Sequence, residues 1–511
     1  MRDGKTLCLK GGIYRGKFSS TLNGGGVVRS APGEWAILDG NATTTLSGAM
    51  NSTQTTFAVA DASAILSGSN VEVWIDNEII TVHAKNGNNI TSSSRNAEGT
   101  VGGAASHGSG STVKLIGGKQ LEVAGGNTTY RDFEILNSNL ERGLGAAVYE
   151  KFRGHGIFNL GNGNSFINLI VHDNVNGIFS GSASSNTLLY GCIFFNNGLA
   201  AAADYSGNSA GLNMYLENSS GYSRVYETFA LNSFNGGGQY YGVTASYAGG
   251  DTQGSVFAGS GSPLGVAAPN LIFGPESVQS PTGVVSASHF VQPHTANTGN
   301  LTMGYGAGVT NATITNNFFV GSATSLEISA VSTAQVTGNK FYSSSSGSRN
   351  VLTRRGTFTW NNNTYYGTPA ASEKFGNVTD GVSQTFATWQ SRTGFDSSST
   401  VSSGNLPDTV IVRPNTYESG RANIIVHAAS SPSSINVDLS ATGLSNGQAY
   451  TIKNAFNWNG QNVLSGTYNS ASPIINVPLN SAVTSVAVPI GMSSAPSTMA
   501  PKFVLLVVKR T

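Results

Sequence analysis

Charge is what this chain has least of. Only 10% of its 511 residues are Asp, Glu, Lys or Arg, against about 25% in an average soluble domain. Helices carry such residues on their exposed faces, so a chain this poor in them is not built from surface helices. The 27 basic and 26 acidic residues leave a net charge of +1, and no basic run occurs. A nucleic-acid partner would need a phosphate-neutralising patch, so that class is set aside. Cysteine is as scarce. Cys8 and Cys192 stand far apart, no disulfide between them is expected, and each reads as a small apolar residue. No apolar run approaches the roughly 18 residues of a membrane span. No export signal opens the chain either: Met1-Arg2-Asp3-Gly4-Lys5 runs straight into a strand. A signal, and a helix capping the fold, are therefore expected upstream.

What the chain has instead is glycine, 65 residues of it, with abundant Ser, Thr and Asn placed periodically. Gly156-Ile157-Phe158 returns as Gly177-Ile178-Phe179, a step of 21, and Ile167–Val171 returns as Tyr190–Phe194, a step of 23. Each period holds two short apolar runs, too little for a strand and a helix but enough for one coil of a solenoid. One coil cannot bury its own apolar face, so it must stack on copies of itself. The pattern predicts an all-β chain, a right-handed parallel β-helix. Later, Thr313–Phe319 matches Val336–Tyr342, with Asn317 to Asn339 a step of 22, and Asn363 follows. These asparagines read as an internal ladder satisfying backbone groups at a bend.

Four regions follow. Residues 1–41 read as first coils, 42–116 as an inserted small β module, 117–374 as the main solenoid and 375–511 as a C-terminal β-sandwich. The insertion alternates like antiparallel strands; its Asp76, Glu78, Arg95 and His107 read as fixtures of the module itself. The C-terminal region has turn-separated alternating runs every 8–12 residues, the spacing of a sandwich.

The opening Leu7-Cys8-Leu9-Lys10-Gly11-Gly12-Ile13-Tyr14, with Val28–Glu34 and Ile37-Leu38-Asp39-Gly40, resembles the first coil of the pectate-lyase-like superfamily. It is most similar to the branch of alginate lyases, chondroitin lyases and secreted β-helix proteins. The resemblance implies an extracellular protein acting on polysaccharide. The insertion resembles a module of phage-tail and bacterial surface proteins, and the C-terminal region a sandwich that caps such solenoids or contacts glycans. Gly154-His155-Gly156 matches the Gly-His-Gly of polygalacturonases, whose Asn-Thr-Asp and paired Asp motifs are absent here. No acidic cluster of the pectate-lyase calcium type is found. The pattern calls for no cofactor, and calcium is the one ion that the resemblance leaves open.

Strand alternation places Phe158, Phe179 and Asn213 outward in one file if Ile157, Ile178 and Leu212 point inward, with Tyr215 and Glu217 on the same side. Stacked aromatics can carry sugar rings. The scarce charges cluster at Glu141, Arg142, Glu150, Lys151, Arg153 and His155, with His172-Asp173 one coil on. A lyase needs a cation to neutralise the uronate and a base for the neighbouring proton, roles open to Arg153, Lys151 and His155. A glycosidase needs two carboxylates, for which Glu141, Glu150, Asp173, Asp204 and Glu217 are available. The expected catalytic set is thus Glu150, Lys151, Arg153, His155, Asp173 and Glu217; the expected glycan contacts are Phe158, Phe179, Asn213, Tyr215, Glu141 and Arg142. The alternative is a non-catalytic extracellular surface protein, a glycan-binding adhesin or a filament subunit, whose open first coil could stack head to tail on another copy.

Overall fold

The computed structural model describes residues 4–65, 71–97, 103–142, 153–199, 211–244, 246–275, 278–294, 299–343, 349–353, 356–369, 371–377 and 383–511. Three long sheets run the length of the solenoid, one of 11 strands and two of 12. Each coil gives one strand to each sheet, and along the coils the strands pair in parallel. In one sheet Ile157 aligns with Ile178, Met214, Gly238, Leu271, Leu301 and Leu326 in turn. This is the right-handed parallel β-helix the repeats call for. The sheet starting at Phe18–Ser20 is the groove sheet below; the one starting at Gly12–Arg15 is the docked sheet, and the one starting at Thr6–Leu9 the third sheet.

The period has a local cause. Where the chain bends from the third sheet into the docked sheet, one residue per coil takes a left-handed conformation: Asp132, Asn168, Gly191, Glu227, Gly254, Ala287, Asn316, Gly338 and Asn362. Gly and Asn tolerate that conformation best, which is why they recur at this step. The residue after each bend forms a polar ladder in later coils. Ser288 N donates to Asn317 Oδ1 (2.9 Å), Asn317 N to Asn339 Oδ1 (3.0 Å) and Asn339 N to Asn363 Oδ1 (2.9 Å). Inside, Phe257, Phe290, Phe319, Phe341 and Tyr365 stack ring on ring at 4.9–5.4 Å.

The described residues between 42 and 116 form a six-stranded antiparallel sheet over a core that includes Phe57, Val73, Ile80, Ile90 and Leu115. Glu78 there is gripped by Arg95 at 2.7 and 2.8 Å, with His107 at 2.9 Å. Burial alone would raise its carboxyl; these partners and the Ala105 amide hold it down at about 2.

At the C-terminal end, Trp389 and Phe386 of the helix Phe386–Thr393 enter the solenoid core and close it. Beyond lie a five-stranded antiparallel sheet and a two-stranded one. The runs Ala422–His427 and 503–508 are buried on both faces. Ile424, Val426, Val504 and Leu506 join the unit's own core. Ile425, Phe503, Leu505 and Val507 pack on Ile170, Ile193, Phe195, Phe229 and Val291, the outward face of the docked sheet. Continuous apolar runs of this kind mark strands covered on two sides. By contrast Leu7, Leu9, Tyr14 and Phe18 of the first coil are only partly buried.

Candidate functional site

The expected residues separate onto two faces. On the groove sheet, Phe158 aligns with Phe179 and Phe179 with Tyr215, and Glu217 aligns with Tyr241. Ring centroids are 5.2 Å apart for Phe158 and Phe179, 5.0 Å for Phe179 and Tyr215, and 5.7 Å for Tyr215 and Tyr241. Phe158, Phe179 and Tyr241 are half-exposed; Tyr215 is buried. A row of rings four coils long follows, spaced as parallel strands are.

His155 stands at the head of this row, its ring 5.7 Å from Phe158 and 5.2 Å from Phe179. Asn176 Nδ2 lies 3.3 Å from His155 Nδ1. Two lysines join it. Lys119 Nζ sits 4.1 Å from the Phe158 ring centroid and 3.0 Å from Glu122 Oε2. Lys17 Nζ donates to Gln120 Oε1 at 2.6 Å. Desolvation, with Lys119 and Lys17 adding repulsion, lowers His155 to about 4, so its imidazole is neutral near pH 7. Desolvation likewise lowers Lys17 to about 7, against a weaker opposing pull from Asp39. A lysine so placed can carry or accept a proton at neutral pH. Glu217 is half-buried on the same face, and desolvation raises its carboxyl.

Arg142, Arg153 and Asp173 belong elsewhere, and here the expectation of substrate contact is corrected. All three are buried, in a closed network between the docked sheet and the C-terminal unit. Arg142 Nη2 pairs with Asp173 Oδ1, which also accepts from Ile490 N at 2.8 Å. Arg142 Nε and Arg153 Nη2 both donate to Ile490 O at 2.8 Å. His172 bridges Asp173 Oδ2 (2.7 Å) and Glu134 Oε1 (2.8 Å). Glu134 also accepts from Trp35 Nε1 and Asn459 Nδ2, each at 2.9 Å. Burial alone would lower His172, but its two carboxylates raise it to about 9. Every member has a protein partner, the charged groups Glu134, Arg142, Arg153, His172 and Asp173 are all buried, and the network fastens two units together. Arg153 is linked to the groove at one remove, because its carbonyl accepts from Gln120, the residue that holds Lys17.

Asn213 is a second correction. The segment between coils shifts the register, so Met214 rather than Leu212 matches Ile178, and Tyr215 takes the expected place. Asn213 is buried and bonds Asn197 Nδ2 at 2.9 Å and Leu231 O at 3.0 Å. Glu141 is half-exposed, 3.8 Å from Lys114 of the insertion. Glu150 and Lys151 lie outside the described residues. Lys17, Lys119, Glu122 and Tyr241 were not anticipated. Among the described residues no group of three or more His, Cys, Asp or Glu is placed to hold a metal ion, and no helix is long and apolar enough to cross a membrane.

No family profile and no curated protein matches the chain. Among solved structures it is similar to a tailspike of an Acinetobacter baumannii bacteriophage in complex with capsular saccharide (10% identity, TM-score 0.25, covering 99% of this chain and 90% of that one). It is similar to a pectate lyase (13%, 0.32, 71% and 70%). It is also similar to the A-module of a mannuronan C-5 epimerase of Azotobacter vinelandii (11%, 0.38, 79% and 91%). The strand register described above, rather than these likenesses, fixes the fold.

Proposed function

We propose that this chain acts on an extended polysaccharide laid along the groove sheet, and that the reaction is elimination at a uronic acid. The observation that carries this reading is the row Phe158, Phe179, Tyr215, Tyr241 ending on His155, Lys119 and Lys17. Successive aromatic faces suit successive sugar rings. At the head of the row, Lys119 faces the substrate carboxylate, and Lys17, with a pKa of about 7, takes the proton beside it. The C–O bond one carbon further breaks as the C=C bond forms, the departing oxygen takes a proton from solvent, and the new unsaturated end absorbs in the ultraviolet. Neutral His155 orients the ring by hydrogen bonding.

Hydrolysis fits less well. Among the described residues Glu122, Glu217 and Glu327 are the half-exposed carboxylates of this face, and the register puts at least three coil steps between the strands of any two of them. At about 4.8 Å per step that is roughly 14 Å, beyond the roughly 5–9.5 Å of a glycosidase pair. One observation favours a second reading, glycan binding without turnover: Glu122 already neutralises Lys119 at 3.0 Å. In either reading the protein works outside the cell. Head-to-tail stacking is less favoured, since the helix Phe386–Thr393 covers the far end of the solenoid.

The test is a panel of uronate and neutral polysaccharides assayed for ultraviolet absorbance and for reducing ends. Elimination gives both signals, hydrolysis gives reducing ends alone, and a binding protein gives neither while being retained on the polymer. Reducing ends without absorbance would overturn the lyase reading.

A further inference from the structure

A second cluster lies one bend further along the coil that carries Tyr215 and Glu217. The strand Gly221–Tyr226 of the third sheet turns Tyr222, Arg224 and Tyr226 outward, all half-exposed, while Ser223 and Val225 point into the core. On the next coil their partners are Gly249, Asp251 and Gln253. The result is a two-by-three array. The Arg224 guanidinium lies 5.2 Å from the Tyr222 ring centroid and has no carboxylate partner among the described residues. Gly249 places no side chain beside Tyr222, and a Cβ there would fall 2.0 Å from Thr282 O, so that edge of the ring stays uncovered. Tyr226 Oη and Gln253 Nε2 both donate to Asp251 Oδ2 at 2.7 Å. Asp251 Oδ1, on a side chain more than nine-tenths buried, has no hydrogen-bond partner.

Folding alone does not explain this arrangement. The same files continue on later coils as Val284, Thr313 and Ser286, Thr315, small residues that need no partner. A carboxylate with one oxygen used by two donors and the other buried without a partner, beside a guanidinium and a tyrosine face, matches a vicinal diol. One hydroxyl donates to the carboxylate, its neighbour accepts from the guanidinium, and the ring's C–H face lies on the aromatic. The carboxylate would repel a uronate or a sulfate.

We propose that Tyr222, Arg224, Tyr226, Asp251 and Gln253 form a second carbohydrate site, separate from the groove, which takes the vicinal diol of a neutral sugar. It holds a polymer or a branch without reacting with it. Two sites on one rigid solenoid raise retention on a polysaccharide beyond either alone.

The test is electrophoresis of the full chain through gels containing galactomannan, xyloglucan or dextran. The proposal expects at least one of these to retard the wild type, with Tyr222→Ala and Arg224→Ala each weakening that retardation about tenfold or more. Phe179→Ala, which alters only the groove, is expected to leave it unchanged. Both substituted side chains are half-exposed, and thermal unfolding of each variant checks that the fold persists. Absence of retardation by all three polymers, or retardation that survives both substitutions, overturns the proposal. So does retardation lost with Phe179→Ala instead, which would assign the neutral sugar to the groove. Failure here leaves the elimination assay untouched, because that assay reads Lys17 and the aromatic row.

Discussion

The groove sheet and the docked sheet each present a histidine beside charged residues, yet the two surroundings are opposite in kind. His172 is enclosed by Glu134 and Asp173, its charged form is stabilised, and its surroundings are satisfied on every side. His155 is half-exposed, neutral and next to two lysines, one of which titrates near neutrality. What separates the fastening from the proposed reactive site is the covering layer: the C-terminal unit seals one face and leaves the other open. A closed, fully paired network resists change, whereas an open one with a perturbed lysine can bind and transfer a proton.

The contrast sharpens first on stability. Arg153→Met strands the Asp173 carbonyl at a buried interface and removes one of the two donors to the Ile490 carbonyl. A cost of about 3–5 kcal/mol is expected, as for other broken buried ionic clusters, and is measured by denaturant unfolding. Next comes turnover. Lys17→Met is expected to lower the elimination rate about 100-fold or more, within the range for a lost general base, while the unfolding transition stays put. The rate itself is expected to climb as pH rises through about 7, where Lys17 loses its proton; a profile flat across that range would remove Lys17 from the role.

Reading these faces from the sequence succeeded where the repeat is uninterrupted. Ile157 and Ile178, Phe158 and Phe179, and Asn317 and Asn339 sit at their expected steps because each coil is short and its bend needs the same left-handed residue. The step to Asn213 failed because the intervening segment has no repeat to hold the phase, and a shift of two residues moved Tyr215 into the file. Lys17 and Gln120 are 103 residues apart, brought together across the insertion by parallel pairing of consecutive coils. No local spacing announces such a pair. The charges between Glu141 and Asp173 were conspicuous in sequence, but the partner that covers them, Ile490, comes from the far end of the chain.

Smaller effects follow. Tyr241→Ala removes the last ring of the row and is expected to weaken polysaccharide retention about two- to tenfold, the worth of one stacking pair; an equal loss at Phe318, on the docked sheet, would erase the distinction between faces. The pH dependence of stability also separates them. His172 is raised to about 9 in the folded state, above an unfolded value of about 6.5. Its contribution is therefore complete below about 6.5 and lost as pH rises through about 9. Melting temperature is expected to fall across that window in the wild type and to fall less in His172→Gln.

The most direct measurement is retention of Phe179→Ala on whichever uronate polysaccharide the wild type binds or cleaves, with thermal unfolding recorded alongside. The account predicts at least a tenfold loss with an unchanged unfolding transition. Equal behaviour of variant and wild type on every such polymer, or no uronate polymer bound at all, would contradict it.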